Sequence, residues 1–266
     1  MPVFRQAQQP APPGLSFHAR LTRIAGGRKG APAMEKELYP RCALCPVKLC
    51  ENKGAPADGE LPSLDGAPPF CVMKLMPEVY EEAAAVYEEP EVADFAVKAS
   101  IQEAECYEKT PDGPRTRLPR IEELIQFARK CGYQTLGLAH CGGLAEEARL
   151  LTRILEASGF TVVSVMCKSG GVPKERIGVP SECKIADPDQ WETMCNPIAQ
   201  AKVLNKAGVD LAIMLGLCIG HDTLFIKHCE VPLTIFAVKD RVLGHNPLAA
   251  LYTSGTYYRR LAGGIE

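Results

Sequence analysis

The chain has 266 residues, which is long enough to bury a core in one large domain or in two small ones. Its 30 Lys and Arg residues are balanced by 32 Asp and Glu residues, so it lacks the positive excess of a nucleic-acid-binding protein. The longest apolar run, residues 211–220, is about half as long as a membrane-spanning helix, and no signal-peptide pattern stands near the start. We therefore expect a cytoplasmic protein that binds neither nucleic acid nor a membrane.

Three segments of different composition come first along the chain. Residues 1–37 are rich in Pro, Gly, Gln and Ala and have no apolar period, which predicts a disordered N-terminal extension. Residues 38–76 combine four cysteines with frequent Pro and Gly, which is typical of a small lobe folded around a metal. Residues 77–118 have the pattern of a helical linker region, interrupted near Pro90.

From residue 119 to residue 266, helices alternate with apolar strands. Pro119 stands where the first helix begins, and Gly132 stands where it ends. Apolar, β-branched runs predict four strands, at residues 135–139, 160–166, 209–215 and 233–238. Further helices are predicted at residues 144–158, after Asn196-Pro197, from Asp222 as a cap, and after Asn246-Pro247. Because strands that are apolar on both sides are typical of covered parallel sheets, we predict an α/β fold, a Rossmann-like parallel sheet with helices on both faces.

The chain contains twelve cysteines, a density that indicates metal chemistry in a reducing compartment. The first group has the spacing C-x2-C-x4-C-x20-C and comprises Cys42, Cys45, Cys50 and Cys71. Four thiolates in one short segment can complete a tetrahedral metal site or a [4Fe–4S] cluster. Structural zinc sites prefer two C-x2-C pairs, and only one is present here, so we favour the cluster and keep zinc as the alternative.

A second group of cysteines is brought together only by the predicted fold. Three of its members follow predicted strands and the fourth precedes a predicted helix; they are Cys141, Cys167, Cys218 and Cys195, respectively. Because the carboxyl ends of parallel strands meet at one edge of the sheet, these thiols should converge on one crevice and hold a second cluster. Each thiol taken alone is better interpreted as a small buried hydrophobe, and only the shared placement of all four favours a cluster. The buried-hydrophobe interpretation is kept for the remaining four cysteines, Cys106, Cys131, Cys183 and Cys229.

Histidines and charged residues lie beside the second group. His140 and His221 flank two of its cysteines, and either could ligate a metal or donate a proton. We take His221 as the stronger candidate because it stands at a predicted helix start. Lys168, Lys239, Asp240 and Arg241 also follow strands; the first three are predicted to line the cofactor crevice.

The segments CGGLAEEARLL, MCNPIAQAKVLN, GLCIGHDTLFIKH and KDRVLGHNPLAALY resemble those of an uncharacterised family of metal-binding proteins from anaerobes. The resemblance covers roughly residues 38–261 and implies metal binding without naming a reaction. Separately, the C-x2-C-x4-C motif with a later cysteine is similar to the electron-relay motif of nickel carbon monoxide dehydrogenases and hybrid-cluster proteins. That resemblance implies a layout with one relay cluster and one reactive cluster.

We therefore expect a two-cluster iron–sulfur protein, a low-potential oxidoreductase that acts on a small molecule. It would receive electrons from a donor protein such as a ferredoxin. The first alternative is a non-enzymatic carrier or sensor of metal or clusters, with a zinc-stabilised N-terminal lobe. A second alternative is a cysteine-nucleophile enzyme that pairs Cys218 with His221, but it leaves the other strand-end cysteines unexplained.

Overall fold

A computed structural model of the chain describes residues 39–55 and 59–265. The extension predicted over residues 1–37 lies outside the described residues. The chain divides into two compact units, and the boundary lies between Val86 and Tyr87. The helices and strands, in chain order, are α1 (Val72–Leu75), α2 (Glu78–Tyr87), α3 (Pro90–Glu105), β1 (Tyr107–Thr110), β2 (Gly113–Thr116), α4 (Arg120–Lys130), β3 (Thr135–His140), α5 (Ala145–Ala157), β4 (Thr161–Met166), α6 (Pro197–Ala207), β5 (Leu211–Leu215), α7 (His221–His228), β6 (Leu233–Ala237) and α8 (Leu248–Tyr252).

The first unit has little core of its own. It contains short 3-10 turns at Cys42–Leu44 and Leu49–Glu51, followed by α1 and α2. Among the residues described in this unit, Ala67 alone is buried. Apolar burial therefore contributes little to the stability of this segment.

The second unit is built on a four-stranded sheet with the order β4-β3-β5-β6, in which all neighbouring strands are parallel. The central strand β3 pairs with β4 through partners such as Ala139 and Val165, and with β5 through Ala139 and Met214. This parallel sheet flanked by helices confirms the predicted α/β class. The part of the chain that the structure describes has no helix long and apolar enough to cross a membrane.

Alternating strand residues divide the core into two layers. Leu136, Leu138 and Ile213 face the layer that is covered by α4 and α5. Ala139 and Met214 face the opposite layer, which is covered by α6 and α7. Successive strand residues point to opposite faces of the sheet, and both sets are apolar here. Helices therefore cover both faces, as the sequence predicts.

Local signals explain most helix ends. The Asn196 side chain accepts a hydrogen bond from the Ala199 N–H at 3.1 Å and begins α6, and Gly208 ends it with a φ of +63°. Asp222, expected to cap α7, instead lies in its first turn, and Gly220 occupies the cap position. The predicted strand at residue 209 begins two residues later, at Leu211.

The region predicted as a helical linker contains more than helix. The helix breaks before Pro90 as expected, which separates α2 from α3. After α3, however, the chain forms an antiparallel hairpin, β1–β2. At the end of β1, the Thr110 hydroxyl donates to the Gly113 carbonyl at 2.7 Å. Helical periodicity upstream hid this four-residue strand pair from the sequence pattern.

Candidate functional site

The backbone of the parallel sheet positions three of the second-group cysteines. Cys141 follows β3 and its N–H donates to the Leu215 carbonyl at 3.1 Å. Cys167 follows β4 and donates in the same way to the His140 carbonyl at 2.9 Å. The Cys167 carbonyl in turn accepts from the Asn196 N–H at 2.7 Å, which brings the residue before it, Cys195, to the same edge. The sheet ladder therefore extends into these loops and draws them together.

The thiols interact with one another. The Cys167 side chain is a hydrogen-bond partner of both the Cys141 and the Cys195 thiols. Cys218 lies close enough to Cys195 to act on its charge. Cys167 is buried, with 2% of its surface exposed, and the other three are half-buried. The structure thus gathers the four predicted ligands Cys141, Cys167, Cys195 and Cys218 into one site, which we call the thiol crevice.

The thiols are neighbours, not a preformed ligand cage. Across residues 39–55 and 59–265, no group of three or more His, Cys, Asp or Glu side chains is arranged to hold a metal ion. All twelve cysteines are free thiols. The thiols interact with one another, and metal ligation would require the thiol protons to leave.

Backbone amides also point at the sulfurs. The Gly142 N–H donates to the Cys167 sulfur at 3.3 Å, and the Gly143 N–H donates to the Cys141 sulfur at 3.4 Å. A side chain at Gly142 would contact the Met166 sulfur at 3.3 Å, which is tighter than most such contacts. Hydrogen bonds donated to sulfur favour the thiolate over the thiol.

Three cations surround the crevice. The Lys239 ammonium is a hydrogen-bond partner of the Cys141 thiol, and the Arg241 guanidinium lies 2.9 Å from the Cys218 sulfur. Lys168 acts on the charges of Cys195 and His221, and its ammonium donates to the Thr193 carbonyl. Of the carboxylates that the structure describes, none forms an ion pair with these cations. Three positively charged side chains therefore lie beside the thiols.

The surroundings of the crevice cysteines give their thiols different pKa values. The hydrogen bond with Cys167, aided by the Lys168 ammonium, lowers the pKa of Cys195 to about 7. The hydrogen bond to Cys167 and burial raise the pKa of Cys141 to about 12. The hydrogen bond with Cys141 lowers the pKa of Cys167, but the hydrogen bond with Cys195 and burial together raise it more. The pKa of Cys167 therefore lies above its usual value. At neutral pH, the first negative charge of the crevice therefore resides on Cys195.

The two predicted histidines are placed differently. His221 is half-buried at the start of α7, where burial and the Lys168 charge lower its pKa and favour the neutral imidazole. His140 ends β3, and its Nδ1 lies 3.1 Å from the carbonyl oxygen of Cys141. Because a carbonyl only accepts, this contact leaves Nε2 of His140 as the nitrogen with a free lone pair.

Asp240, predicted to line the crevice, is engaged in a turn. Its Oδ1 accepts from the N–H groups of Val242 and Leu243 at 3.0 and 2.8 Å. Its own N–H donates to Nδ1 of His245 at 3.1 Å. This turn presents the neighbouring Arg241 to Cys218.

Gln200 is a site residue that the sequence pattern does not reveal. It is fully buried in α6, and its amide nitrogen donates to the carbonyls of His140 at 3.1 Å and Val165 at 2.8 Å. It thereby cross-links the strands that lead to Cys141 and Cys167. Its Oε1 finds no partner among the described residues. A single glutamine in an amphipathic helix carries no sequence signal for this role.

The first group of cysteines lines a pocket within the first unit. Cys42, Cys45, Cys50 and Cys71 surround a space of about 170 Å³, whose walls are otherwise mostly apolar. Lys48 and Asn52, with φ values of 46° and 43°, bend the chain on either side of Cys50. The volume exceeds the roughly 30 Å³ that one water occupies in the liquid. The four cysteines thus share one pocket, but within the described ranges they are not arranged as metal ligands.

The remaining cysteines have ordinary surroundings. The Cys106 thiol donates to the Gln102 carbonyl at 3.2 Å, and the Cys229 thiol donates to the Val231 carbonyl at 3.6 Å. Cys183 is exposed in the long loop between β4 and α6. Burial raises the pKa of Cys131, which a hydrogen bond with Tyr133 only partly opposes.

Comparison with known proteins places the chain in a family. The family described as a protein of unknown function, DUF1847, matches residues 71–236, which include the whole thiol crevice but not Cys42, Cys45 or Cys50. The chain is also 40% identical to the uncharacterized protein MJ0455 of Methanocaldococcus jannaschii over 224 residues, which are 84% of this chain and 99% of that protein. The expected resemblance to an uncharacterised family is thereby confirmed, and neither match names a metal. The chain belongs to the DUF1847 family.

Proposed function

We propose that this protein is a two-cluster iron–sulfur protein, a low-potential oxidoreductase whose reactive cluster is held in the thiol crevice. Cys141, Cys167, Cys195 and Cys218 would be the ligands. The observation that carries the proposal is the convergence of these four thiols, from four separate chain segments, beside three cations that have no carboxylate partner among the described residues. Soft thiolates select iron–sulfur clusters and zinc over hard cations.

The charges support an anionic occupant. Buried structural cysteines are neutral and do not need positive neighbours. Around thiols that are mostly protonated, the charges of Lys168, Lys239 and Arg241 would repel one another. Ligation replaces those thiols with thiolates, and a [4Fe–4S] centre with four thiolates is an anion overall. The three cations and the two glycine N–H groups would then offset this charge.

The residues of the chain have distinct parts in this proposal. Cys195, whose pKa is about 7, would supply the first thiolate at neutral pH. Cys141 and Cys167 would release their protons on ligation, so assembly would be favoured at higher pH. The bound group would supply one-electron transfer and, if one iron is not saturated by thiolate, a Lewis-acidic position. His221, with its lowered pKa, would accept a proton from a small molecule in the crevice or return one to it.

The pocket of the first unit would hold the relay cluster. Its four cysteines and the scarcity of buried side chains support a segment that folds around its metal. Zinc remains the alternative occupant. A donor protein such as a ferredoxin would supply electrons, and the reducing cytoplasm would keep the cysteines from forming disulfides.

A carrier or sensor of clusters is the second candidate. Four cysteines in the crevice, rather than three, favour it because four thiolates can saturate a cubane. Added cyanide or carbon monoxide distinguishes the two. In an oxidoreductase the spectrum of one cluster should change, whereas in a saturated carrier neither cluster spectrum should change.

The decisive experiment is strictly anaerobic purification with metal analysis and electron paramagnetic resonance. Two cubanes predict about eight irons and eight sulfides per chain. Cys167→Ser should remove one signal, and Cys229→Ser, a matched change outside the crevice, should remove none. Stoichiometric zinc without iron would overturn the proposal.

A further inference from the structure

The second unit contains a cavity that is separate from the thiol crevice. Its volume is about 390 Å³, which lies within the range of small-molecule sites. Residues of α3, α4, β5 and β6 line it, and they include Leu211 and Leu233, the first residues of the two strands. The crevice lies beyond the carboxyl ends of the strands, and none of its residues lines the cavity. The cavity is therefore a site of its own.

Aromatic and aliphatic side chains form most of the cavity wall. Phe95 and Phe127 meet edge to face with their ring centroids 5.4 Å apart, and Phe236 reaches the cavity from β6. Leu124 and Leu211, which are both buried, complete the inner part. Such a wall favours a ligand with an apolar body, because binding removes the apolar area of that body from water.

The buried polar side chain of this wall already has its partners within the protein. Gln102 is 2% exposed, and its Nε2 donates to Oε1 of Gln126 at 3.3 Å and to the Cys106 sulfur at 4.0 Å. Its Oε1 accepts from the Lys130 ammonium at 2.8 Å. A polar group on the inserted part of a ligand would find no free partner on Gln102 and would lose its hydrogen bonds to water. The inserted part should therefore be a hydrocarbon.

Two opposite charges stand at the solvent-exposed side of the cavity. Arg120 and Glu123 lie in the first turn of α4 and line the cavity, and their side chains are 52% and 37% exposed. Nε of Arg120 donates to the Ile235 carbonyl at 3.0 Å and Nη2 donates to the Thr234 hydroxyl at 2.9 Å, so β6 fixes the guanidinium in place. Its Nη1 lies 3.8 Å from Oε2 of Glu123, which is too far for a hydrogen bond. Nη1 therefore remains able to bind an anion, and the Glu123 carboxylate accepts no hydrogen bond from the described residues.

We propose that this cavity binds an α-amino acid with an apolar side chain. The side chain of the ligand fills the apolar part of the cavity, its carboxylate pairs with Arg120 and its ammonium group pairs with Glu123. The two charged groups of an α-amino acid are attached to one carbon atom, so they can face two side-chain charges that lie 3.8 Å apart. A ligand with only one charge would bring that charge close to a side chain of the same sign. This site requires no metal and does not depend on the iron–sulfur function.

Calorimetric titration of the full chain with L-phenylalanine tests the site, together with three analogues that each lack one feature. 3-Phenylpropionate lacks the ammonium group, 2-phenylethylamine lacks the carboxylate and glycine lacks the apolar side chain. We expect phenylalanine to bind with one equivalent per chain and each analogue to bind at least about tenfold more weakly. Phenylalanine should also raise the thermal unfolding temperature, because it binds the folded state and not the unfolded state.

Substitutions in the chain show where the ligand binds. Glu123→Gln should weaken phenylalanine binding about tenfold but should not weaken 3-phenylpropionate binding, because only phenylalanine has an ammonium group. Glu122→Gln is its matched control, since Glu122 is exposed in the same helical turn and does not line the cavity. Ala99→Phe fills the cavity from α3 and should abolish binding. Ala104→Phe, at an exposed position of the same helix outside the cavity, should leave binding unchanged.

Three results would overturn the proposal. The first is no binding heat and no thermal stabilisation by phenylalanine up to about 10 mM. The second is equal affinity for phenylalanine and 3-phenylpropionate, because the ammonium group would then have no partner. The third is unchanged affinity in a folded Ala99→Phe variant, because the ligand would then bind elsewhere. If Ala99→Phe does not fold, unchanged affinity in Glu123→Gln overturns the proposal in its place, and a tenfold loss supports it.

Discussion

Alkylation of the metal-free protein tests the charge distribution of the thiol crevice. A thiol with a pKa of 9.0 is about 1% thiolate at pH 7, whereas Cys195, with its pKa lowered to about 7, is roughly half thiolate. The thiolate fraction, which is the nucleophilic form, is therefore about fiftyfold higher for Cys195. Nucleophilicity falls with pKa by a Brønsted factor of about 0.4–0.5, so a thiolate whose pKa is two units lower is intrinsically roughly eightfold less reactive. Cys195 should therefore react about sixfold faster at pH 7 than an equally accessible ordinary thiol.

The assay is iodoacetamide labelling from pH 5.5 to 10, with peptide mass spectrometry to assign each cysteine. The midpoint for Cys195 should lie near pH 7, because its lowered pKa makes the thiolate appear first as pH rises. Cys167→Ala removes the strongest cause and should move the midpoint upward the most. Lys168→Met should move it upward less, and Lys168→Arg should restore it. Cys229→Ala, a change outside the crevice, should leave the midpoint in place.

A midpoint near pH 9 for Cys195 in the folded wild-type protein would refute the reasoning. So would equal upward shifts in the Cys167→Ala and Cys229→Ala variants, since the second residue does not touch the crevice. Circular dichroism of each variant shows whether the fold is retained during labelling.

Three further predictions concern the sites and the core. Cys45→Ser should remove one cluster signal and leave the crevice signal intact; simultaneous loss of both would contradict two independent sites. His221→Gln should alter the response of the crevice spectrum to cyanide without changing the relay signal, and an identical response would remove the histidine from the site. Gly137→Ala should lower the free energy of unfolding by about 1–3 kcal/mol, because a side-chain carbon there would lie 2.9 Å from buried leucine and valine carbons. Gly255→Ala, at an open position, is its control in urea denaturation, and equal effects of the two changes would contradict the packing argument.

Local patterns predicted the second unit well because its elements obey local rules. Asn196 caps its helix, Gly208 ends it and the apolar runs form strands, since these effects act within a few neighbouring residues. The hairpin β1–β2 escaped prediction because its four-residue strands have no apolar alternation, with most of their residues exposed. Gly220 rather than Asp222 caps α7 for a similarly local reason, since the Asp222 carboxylate turns back to the Gly220 N–H at 2.9 Å.

Sequence patterns suffice to place four cysteines after strands or before a helix, and strand polarity sends such positions to one edge of a parallel sheet. How these cysteines interact at that edge depends on tertiary packing. The order β4-β3-β5-β6 makes the ends of β3 and β4 neighbours, so Cys141 and Cys167 share a hydrogen bond. The buried crosslink by Gln200 and the approach of Arg241 to Cys218 join residues that are 23 to 60 positions apart. Such contacts depend on how packed elements meet, and spacing along the chain carries no record of them.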